Sequence, residues 1–405
     1  MTQLESRRLF GKEFILLNGI FFLASVAMAV FFKFYQYLHS LGIPPAWFGF
    51  IIASDSLAGL FLQPFLSPFL NPGNARKWMA AGIAVMIGAL FSYHLAATVP
   101  GLIVVRIFQG GGFVCLIAAM ITLMVSYIPP QKSGQAFGFV STVRLVPYAI
   151  VPPLVSSLAE TPQDFRVVLR YMIGIMLFSM ALLFFLKPEG TLPDGASPEQ
   201  RIRSKELFEN LRNRKVFILL LANLFLYSGY TTVFFFLGGY GRKIGIVNPG
   251  IFFTIATLVM IGVRLFGGSL FDKTDKVLLT VLFMIDLVLC YAFLPFVGGH
   301  GFFYGLAFLT GLGWGIVMPV LNALMFDVSP LRFRGLNLNL SLVMMQGGFF
   351  IGPFLGGLVL GTGGYGALFI FCSGLSLLAA VLIPFVKEER IPGAVERIGR
   401  NNDGE

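Results

Sequence analysis

Charge is what this chain has least of. Asp, Glu, Lys and Arg make up 12% of its 405 residues, against about 25% in a typical soluble domain. A charge-covered globular enzyme is therefore excluded as the main architecture. Cysteine and histidine are nearly as scarce. Cys115, Cys290 and Cys372 lie far apart in apolar segments, and the three His are scattered. Neither a disulfide framework nor a metal site has the necessary spacing. The sequence lacks a Gly-x-x-x-x-Gly-Lys-Ser/Thr loop, which argues against ATP hydrolysis by this chain. No filter-like segment points to a channel, and the methionines form no repeated sulfur cluster. The first apolar stretch continues to about residue 36 without a small-residue cleavage site, so no cleavable signal peptide is expected. No catalytic residue, cofactor or metal is expected, and the chain reads as a non-enzyme.

What is present is apolar bulk: 57% hydrophobic residues, with 45 Phe and 47 Gly. It comes in long blocks, and blocks of 18 or more apolar residues read as membrane-spanning helices. Backbone in hydrocarbon must bond to itself, which leaves helices or closed barrels. These blocks are too long for barrel strands. The expected fold is an all-α membrane protein of twelve transmembrane helices. Six are placed near 13–36, 47–69, 78–98, 101–127, 134–158 and 165–186. Six more lie near 216–237, 247–271, 277–296, 302–326, 334–360 and 364–386. A hydrophilic stretch at 187–215 separates the sixes. It is rich in Gly and Pro, then basic through Arg201, Arg203, Lys205, Arg212, Arg214 and Lys215, and suits contact with anionic lipid.

Basic residues also set the orientation. With the N-terminus inside, internal segments hold Arg7, Arg8, Lys12, Arg76, Lys77, Lys132, Lys273, Lys276, Arg332 and Arg334. The outer loops offer only Arg166, Arg242 and Lys243. This bias predicts a cytoplasmic-membrane protein with both termini cytoplasmic. It also accounts for the net charge of +10 without a nucleic-acid partner, because the charges are spread along loops at one surface.

The chain repeats itself. At an offset of 201 residues, Gly110, Gly112, Met124, Pro129, Gly134 and Pro152 fall on Gly311, Gly313, Met325, Pro330, Gly335 and Pro353. Two equivalent halves are expected: a six-helix bundle at 1–186, a linker at 187–215, and a second bundle with a tail at 216–405. In membrane proteins such halves usually flank a pathway.

Four motifs carry a family resemblance. Gly268-Ser-Leu-Phe-Asp-Lys-Thr-Asp-Lys276 is similar to the loop motif Gly-x-Leu-Ala-Asp-Arg-x-Gly-Arg-Arg of the major facilitator superfamily. Asp272 takes its acidic position and Lys273 its basic one. The first-half counterpart has Asn71 and Pro72 instead. Arg106-Ile-Phe-Gln-Gly-Gly-Gly112 resembles the fourth-helix Arg-x-x-Gln-Gly of proton-coupled antiporters. Gly134-Gln-Ala-Phe-Gly138, with Pro147, Pro152 and Pro153, loosely resembles their fifth-helix Gly/Pro motif. Gly352-Pro-Phe-Leu-Gly-Gly357 is a cleaner version in the second half. The resemblance covers nearly the whole chain and is closest to bacterial drug and sugar exporters. It implies alternating access, with cargo between the halves.

Ionisable residues inside spans are costly and are functional suspects. Here they are Lys33, Asp55, Arg106, Arg144, Arg170, Arg264 and Asp286. Asp55, Lys33 and Arg106 are the proton-coupling or ion-pair candidates, with a simple Asp55–Lys33 pair as the bland alternative. Arg144 is a cargo candidate, because its apolar neighbours cannot satisfy its donors. Asn18 and Ser25 share a face of the first helix. Asn223, Tyr227 and Tyr230 share one of the seventh, and Asn337 and Ser341 one of the eleventh. All could line a cavity, or simply bond between helices. Asp272, Lys273 and Arg264 are gating candidates, and Asp286 is expected to be a packed interhelical bond.

The resulting expectation is a monomeric secondary transporter in the bacterial inner membrane. It couples protons to export of a small organic or amphipathic compound. Organic-anion uptake or exchange, and a non-transporting sensor, are the alternatives.

Overall fold

The computed structural model describes residues 11–66, 69–128, 133–158, 161–186, 210–266, 274–330 and 333–386. Among the described residues the protein is all-α and multi-pass. Ten helices are long and apolar enough to cross a membrane, and one shorter apolar helix joins them.

In chain order, α1 (Lys12–Ala29) passes through a 3₁₀ turn (Val30–Lys33) into α2 (Phe34–Ser40). Then come α3 (Phe48–Leu66), α4 (Pro72–Ser92), α5 (Val99–Tyr127), α6 (Ser133–Leu158) and α7 (Pro162–Phe184). The second half holds α8 (Arg214–Lys243), α9 (Ile251–Phe266), α10 (Lys276–Phe293), α11 (His300–Val328) and α12 (Arg334–Leu382).

Two of the departures from the expected boundaries have local reasons. α4 begins at Pro72 rather than near residue 78 because Asn71 caps it. The Asn71 carboxamide accepts from the Asn74 amide at 3.0 Å, and Asn74 Oδ1 accepts from the Asn71 amide at 2.9 Å. Pro72 then occupies the first helical position, where a missing N–H costs nothing. The two residues that depart from the loop motif are thus engaged as a helix start. α12 runs 49 residues, about 74 Å at 1.5 Å per residue, far beyond the ≈30 Å of hydrocarbon. It is interrupted at Gly364, whose φ of 70° and ψ of −170° leave the helical region. That backbone conformation is open essentially to glycine alone.

The 201-residue offset reappears in the packing. Gly110 of α5 presses on the backbone of Asp55 in α3, and Gly311 of α11 presses on the backbone of Ala256 in α9. In each case a Cβ would collide with a main-chain oxygen. Across the halves, Gly49 abuts the backbone of Pro353 while Gly250 abuts that of Pro152 and Pro153. Each contact is the image of the other under the offset. Small residues let helix backbones approach where lipid supplies no hydrophobic drive. Accordingly α3 packs on α12, and α6 on α9.

The largest buried cluster draws on both halves. Phe32 lies 5.8 Å from Phe234 and 5.3 Å from Phe253, ring centre to ring centre. Phe50 sits 6.1 Å from Phe350 and 5.7 Å from Phe354. This cluster runs the length of the first half, from Phe14 and Leu186 at one end to Ile43 and Phe48 at the other, where it continues into the second half through Phe252 and Phe303. A separate core, built from Leu219, Leu226, Met284, Val317 and Leu321, fills the other end of the second half.

Candidate functional site

Arg106 is fully buried, and the fold surrounds it with acceptors. Its Nη2 donates to Asp55 Oδ2 at 2.9 Å and to the Ile52 carbonyl at 2.7 Å, while Nη1 donates to Gln109 Oε1 at 3.2 Å. The guanidinium carbon lies 4.9 Å from the Phe31 ring centre and 5.0 Å from that of Phe34. Desolvated cation–π contacts of this kind are worth about 2 kcal/mol. The Tyr93 hydroxyl donates to Gln109 Oε1 at 2.6 Å, and Gln109 Nε2 reaches Met28 Sδ at 3.5 Å. Helices α1 to α5 thus converge on one positive charge.

Asp55 is less enclosed, with a side chain 12% exposed. Its other oxygen accepts from the Ser56 hydroxyl at 3.3 Å. The close approach at Gly110 is what brings the carboxylate within reach of Arg106, which lies one turn earlier on α5. Taking two charges out of water costs several kcal/mol per ion, so such a pair persists only with good geometry and extra hydrogen bonds. Those are present here.

Lys33 is not the ion-pair partner of Asp55. It ends the 3₁₀ turn after α1 and donates to the Ser156 carbonyl of α6 at 3.2 Å. Similar depth along the membrane allows a Lys33–Asp55 pair, but helix rotation points Asp55 at α5. Gln109, Tyr93 and the Ile52 carbonyl complete the network. Of these, only Gln109 had a sequence signal, three residues after Arg106.

A second group lies at mid-depth between the halves. Arg144 of α6 is half-buried, with Nη2 3.9 Å from Met345 Sδ of α12. Met345 is its own partner under the 201-residue offset. Two equivalent positions can touch only near the axis relating the halves. Arg264 of α9 is half-buried, and its Nε has no hydrogen-bond partner. It lies within electrostatic reach of Arg144, Tyr227 and Tyr230. Tyr227 and Tyr230 of α8 pack on Trp314 of α11, with ring centres 5.5 and 4.7 Å apart.

Several other candidates are occupied locally. Asn18 donates to the Phe14 carbonyl at 2.8 Å and Asn223 to that of Leu219 at 3.0 Å, each one turn back. Ser25 Oγ is buried without a partner. Asn337 accepts from Asn210 at 2.6 Å and donates to Ser329 at 2.8 Å, clipping three segments together. Ser341 donates to the Asn337 carbonyl at 3.1 Å. Asp272 and Lys273 lie outside the described residues. Lys276, at the end of the same motif, pairs with Asp327 at 2.7 Å. Asp286 accepts weakly from Cys290 Sγ at 3.8 Å, and its Oδ2 is without a partner.

Where the first half has Asp55 and Arg106, the second has Ala256 and Ala307. Beside Ala256 is a cavity of about 10 Å³, lined by Tyr230, Met260, Tyr291, Thr310 and Trp314 among others. That is room for about one water.

Residues 15–340 and 288–401 match the Major Facilitator Superfamily profile. The staphylopine export protein of Staphylococcus aureus is 22% identical over 391 residues, covering 92% of this chain and 94% of that protein. The multidrug resistance protein MdtG of Salmonella schwarzengrund is 25% identical, covering 89% of this chain and 91% of its own length. The multi-drug resistance efflux pump PmrA of Streptococcus pneumoniae is 26% identical, covering 80% and 90%. Among solved structures, the nucleoside transporter NupG superposes with a TM-score of 0.73 at 14% identity, over 93% of this chain and 99% of that one. A D-xylose–proton symporter does so with 0.68 at 15%, over 91% and 96%. These two share the fold. The chain belongs to the Major Facilitator Superfamily, as a multi-pass inner-membrane secondary transporter of small molecules that works by alternating access and is not an enzyme.

Proposed function

We propose that this protein exports a small organic or amphipathic compound in exchange for protons, with Asp55 as the proton carrier. The observation that carries this reading is the buried Asp55–Arg106 pair, 2.9 Å long, on one side of the pathway only. Protonation of Asp55 cancels the pair and leaves Arg106 held by Gln109 and Ile52. Deprotonation restores it. That gives two electrostatic states within one packed half, which is what a coupled carrier needs. The direction of transport draws on the relatives, whose names describe export and multidrug resistance.

The architecture that suits this reading is twelve spans in two six-helix bundles, at 1–186 and 216–405, with a cytoplasmic linker at 187–215. The break at Gly364 divides α12 into two spans, and α9 supplies the remaining one. The basic loops put both termini in the cytoplasm. The halves meet away from the termini, at Gly49–Pro353 and Gly250–Pro152, which suits a conformation closed to the outside. The two halves already pair within one chain, so the working unit is a monomer. In the second half, Asp272 and Lys273 serve the cytoplasmic gate.

The test uses everted vesicles carrying a pH dye. D55N should lose cargo-dependent proton release at least tenfold while still exchanging labelled cargo across the membrane. Full proton release by D55N would overturn Asp55 as the carrier. Failure of the unaltered chain to exchange any cargo would overturn export.

A further inference from the structure

The arginines of the protein interior fall into two kinds, fully buried Arg106 and half-buried Arg144 and Arg264. Arg106 has a carboxylate, a carbonyl, a carboxamide and two ring faces around it. Arg144 and Arg264 have none of these. Among the described residues no acid or carbonyl accepts from either. The hydrogen-bond contact of Arg144 is the Met345 thioether at 3.9 Å. The Nε atoms of Arg106 and Arg264 are both buried without a partner, but among the described residues the Nη groups of Arg106 are bonded and those of Arg264 are not. The helices that carry them pack together, with the Thr254 hydroxyl of α9 donating to the Ala149 carbonyl of α6 at 2.5 Å, and Arg264 lies one turn beyond Met260, which lines the cavity with Tyr230 and Trp314. The two guanidinium groups carry the same sign. Like charges held near each other inside a membrane are expensive unless something of opposite sign joins them. Their place rules out an accident of surface packing. Arg144 touches its own repeat partner, so it sits on the axis between the halves.

Beside them stands an aromatic wall. Tyr230 is 4.7 Å from Trp314, and Tyr227 is 5.5 Å from both Trp314 and Phe349. Tyr148, one turn beyond Arg144 on α6, closes the row 5.6 Å from Phe234. An arginine fork suits a carboxylate or phosphate bidentately, and aromatic faces suit a flat apolar body.

We propose that Arg144 and Arg264 form an anion-holding subsite, and that the cargo carries a carboxylate or phosphate joined to a planar apolar group seated on Tyr227, Tyr230 and Trp314. This rests on the transport reading and names its cargo class. The subsite joins the halves, since Arg144 belongs to the first and Arg264 to the second. An anion bound there bridges α6 and α9. The protonated cycle at Asp55 remains within the first half, so the two functions are physically separable.

The probe is 2-naphthoate, with its neutral carboxamide as the matched control. Binding is read on the purified full chain in zwitterionic detergent, by quenching of tryptophan fluorescence and by the shift in thermal midpoint. Naphthoate should bind at least tenfold more tightly than the amide. R144Q and R264Q should each lose that preference, while R144K and R264K keep part of it. All four should unfold near the temperature of the unaltered protein. Equal binding of acid and amide would overturn the subsite, as would unchanged preference in both Gln variants. Short-chain phosphatidylglycerol is titrated in parallel. Displacement of bound naphthoate supports a shared anion site. Binding of the lipid with no binding of naphthoate assigns the arginines to a headgroup and overturns the cargo proposal. Vesicle transport separates the two readings. Absence of the acid preference in the unaltered chain, with intact cargo exchange, removes the subsite alone. Preserved preference without any exchange removes the exporter alone.

Discussion

The two halves share a backbone plan and differ in what they place on it. In the first, α5 approaches α3 at Gly110, and the contact delivers Asp55 to Arg106. In the second, α11 approaches α9 at Gly311, and the contact delivers Ala256 to a small cavity walled by Tyr230, Tyr291, Thr310 and Trp314. The approach is alike and the contents differ: one side holds an ion pair, the other aromatic rings and the hydroxyl groups of Tyr230, Tyr291 and Thr310. A close helix contact is therefore a scaffold element here. The chemistry depends on which side chains ride one turn away from it.

The difference can be broken most severely at Arg106. R106Q strands a buried carboxylate and removes the donor to Ile52, and should cost about 3–5 kcal/mol, seen as a large drop in the thermal midpoint. Adding D55N should recover much of it. A double variant as unstable as R106Q would show that the pair is not what Arg106 is for. The glycines sharpen the comparison next. G110A and G311A should each cost about 1–3 kcal/mol through overpacking, with similar midpoints. Only G110A displaces Asp55, so it alone should lower cargo-dependent proton release. An equal fall with G311A would show that the flux follows helix packing in general. The smallest effect is expected at Lys276–Asp327, a part-exposed pair at 2.7 Å. A K276A/D327A double-mutant cycle should give about 0.2–1 kcal/mol, since water and salt screen it. A much larger coupling would make that pair a gate element in the second half.

Much of this was legible in the chain. Arg106 and Asp55 stand out because an ionisable group within an apolar block has to be explained. Arg144 stands out because nothing near it in sequence can accept its protons. The partnerships were less legible. Lys33 and Arg106 are both compatible with Asp55 by depth along the membrane, and depth is all that residue number conveys. Choosing between them requires the rotation of α3 about its axis, which the Gly110 contact sets. Asn18, Asn223 and Asn337 look alike as polar residues in spans. Two of them bond one turn back and the third clips separate segments. Arg264, two turns before Asp272, reads as part of a gate or as a residue near the cavity, and residue number alone does not choose between them.

By itself, then, the sequence determined the solvent, the spans and the repeat. Hydrocarbon tolerates only backbone that bonds to itself, so long apolar blocks have one regular outcome, and an offset of 201 residues survives any folding. Which charge faces which was decided by tertiary structure alone. Side-chain pairing depends on helix rotation and interaxial distance, both set by glycine contacts between segments far apart in the chain. That is why Arg106 meets Asp55, and why neither Arg144 nor Arg264 has an acid partner among the described residues.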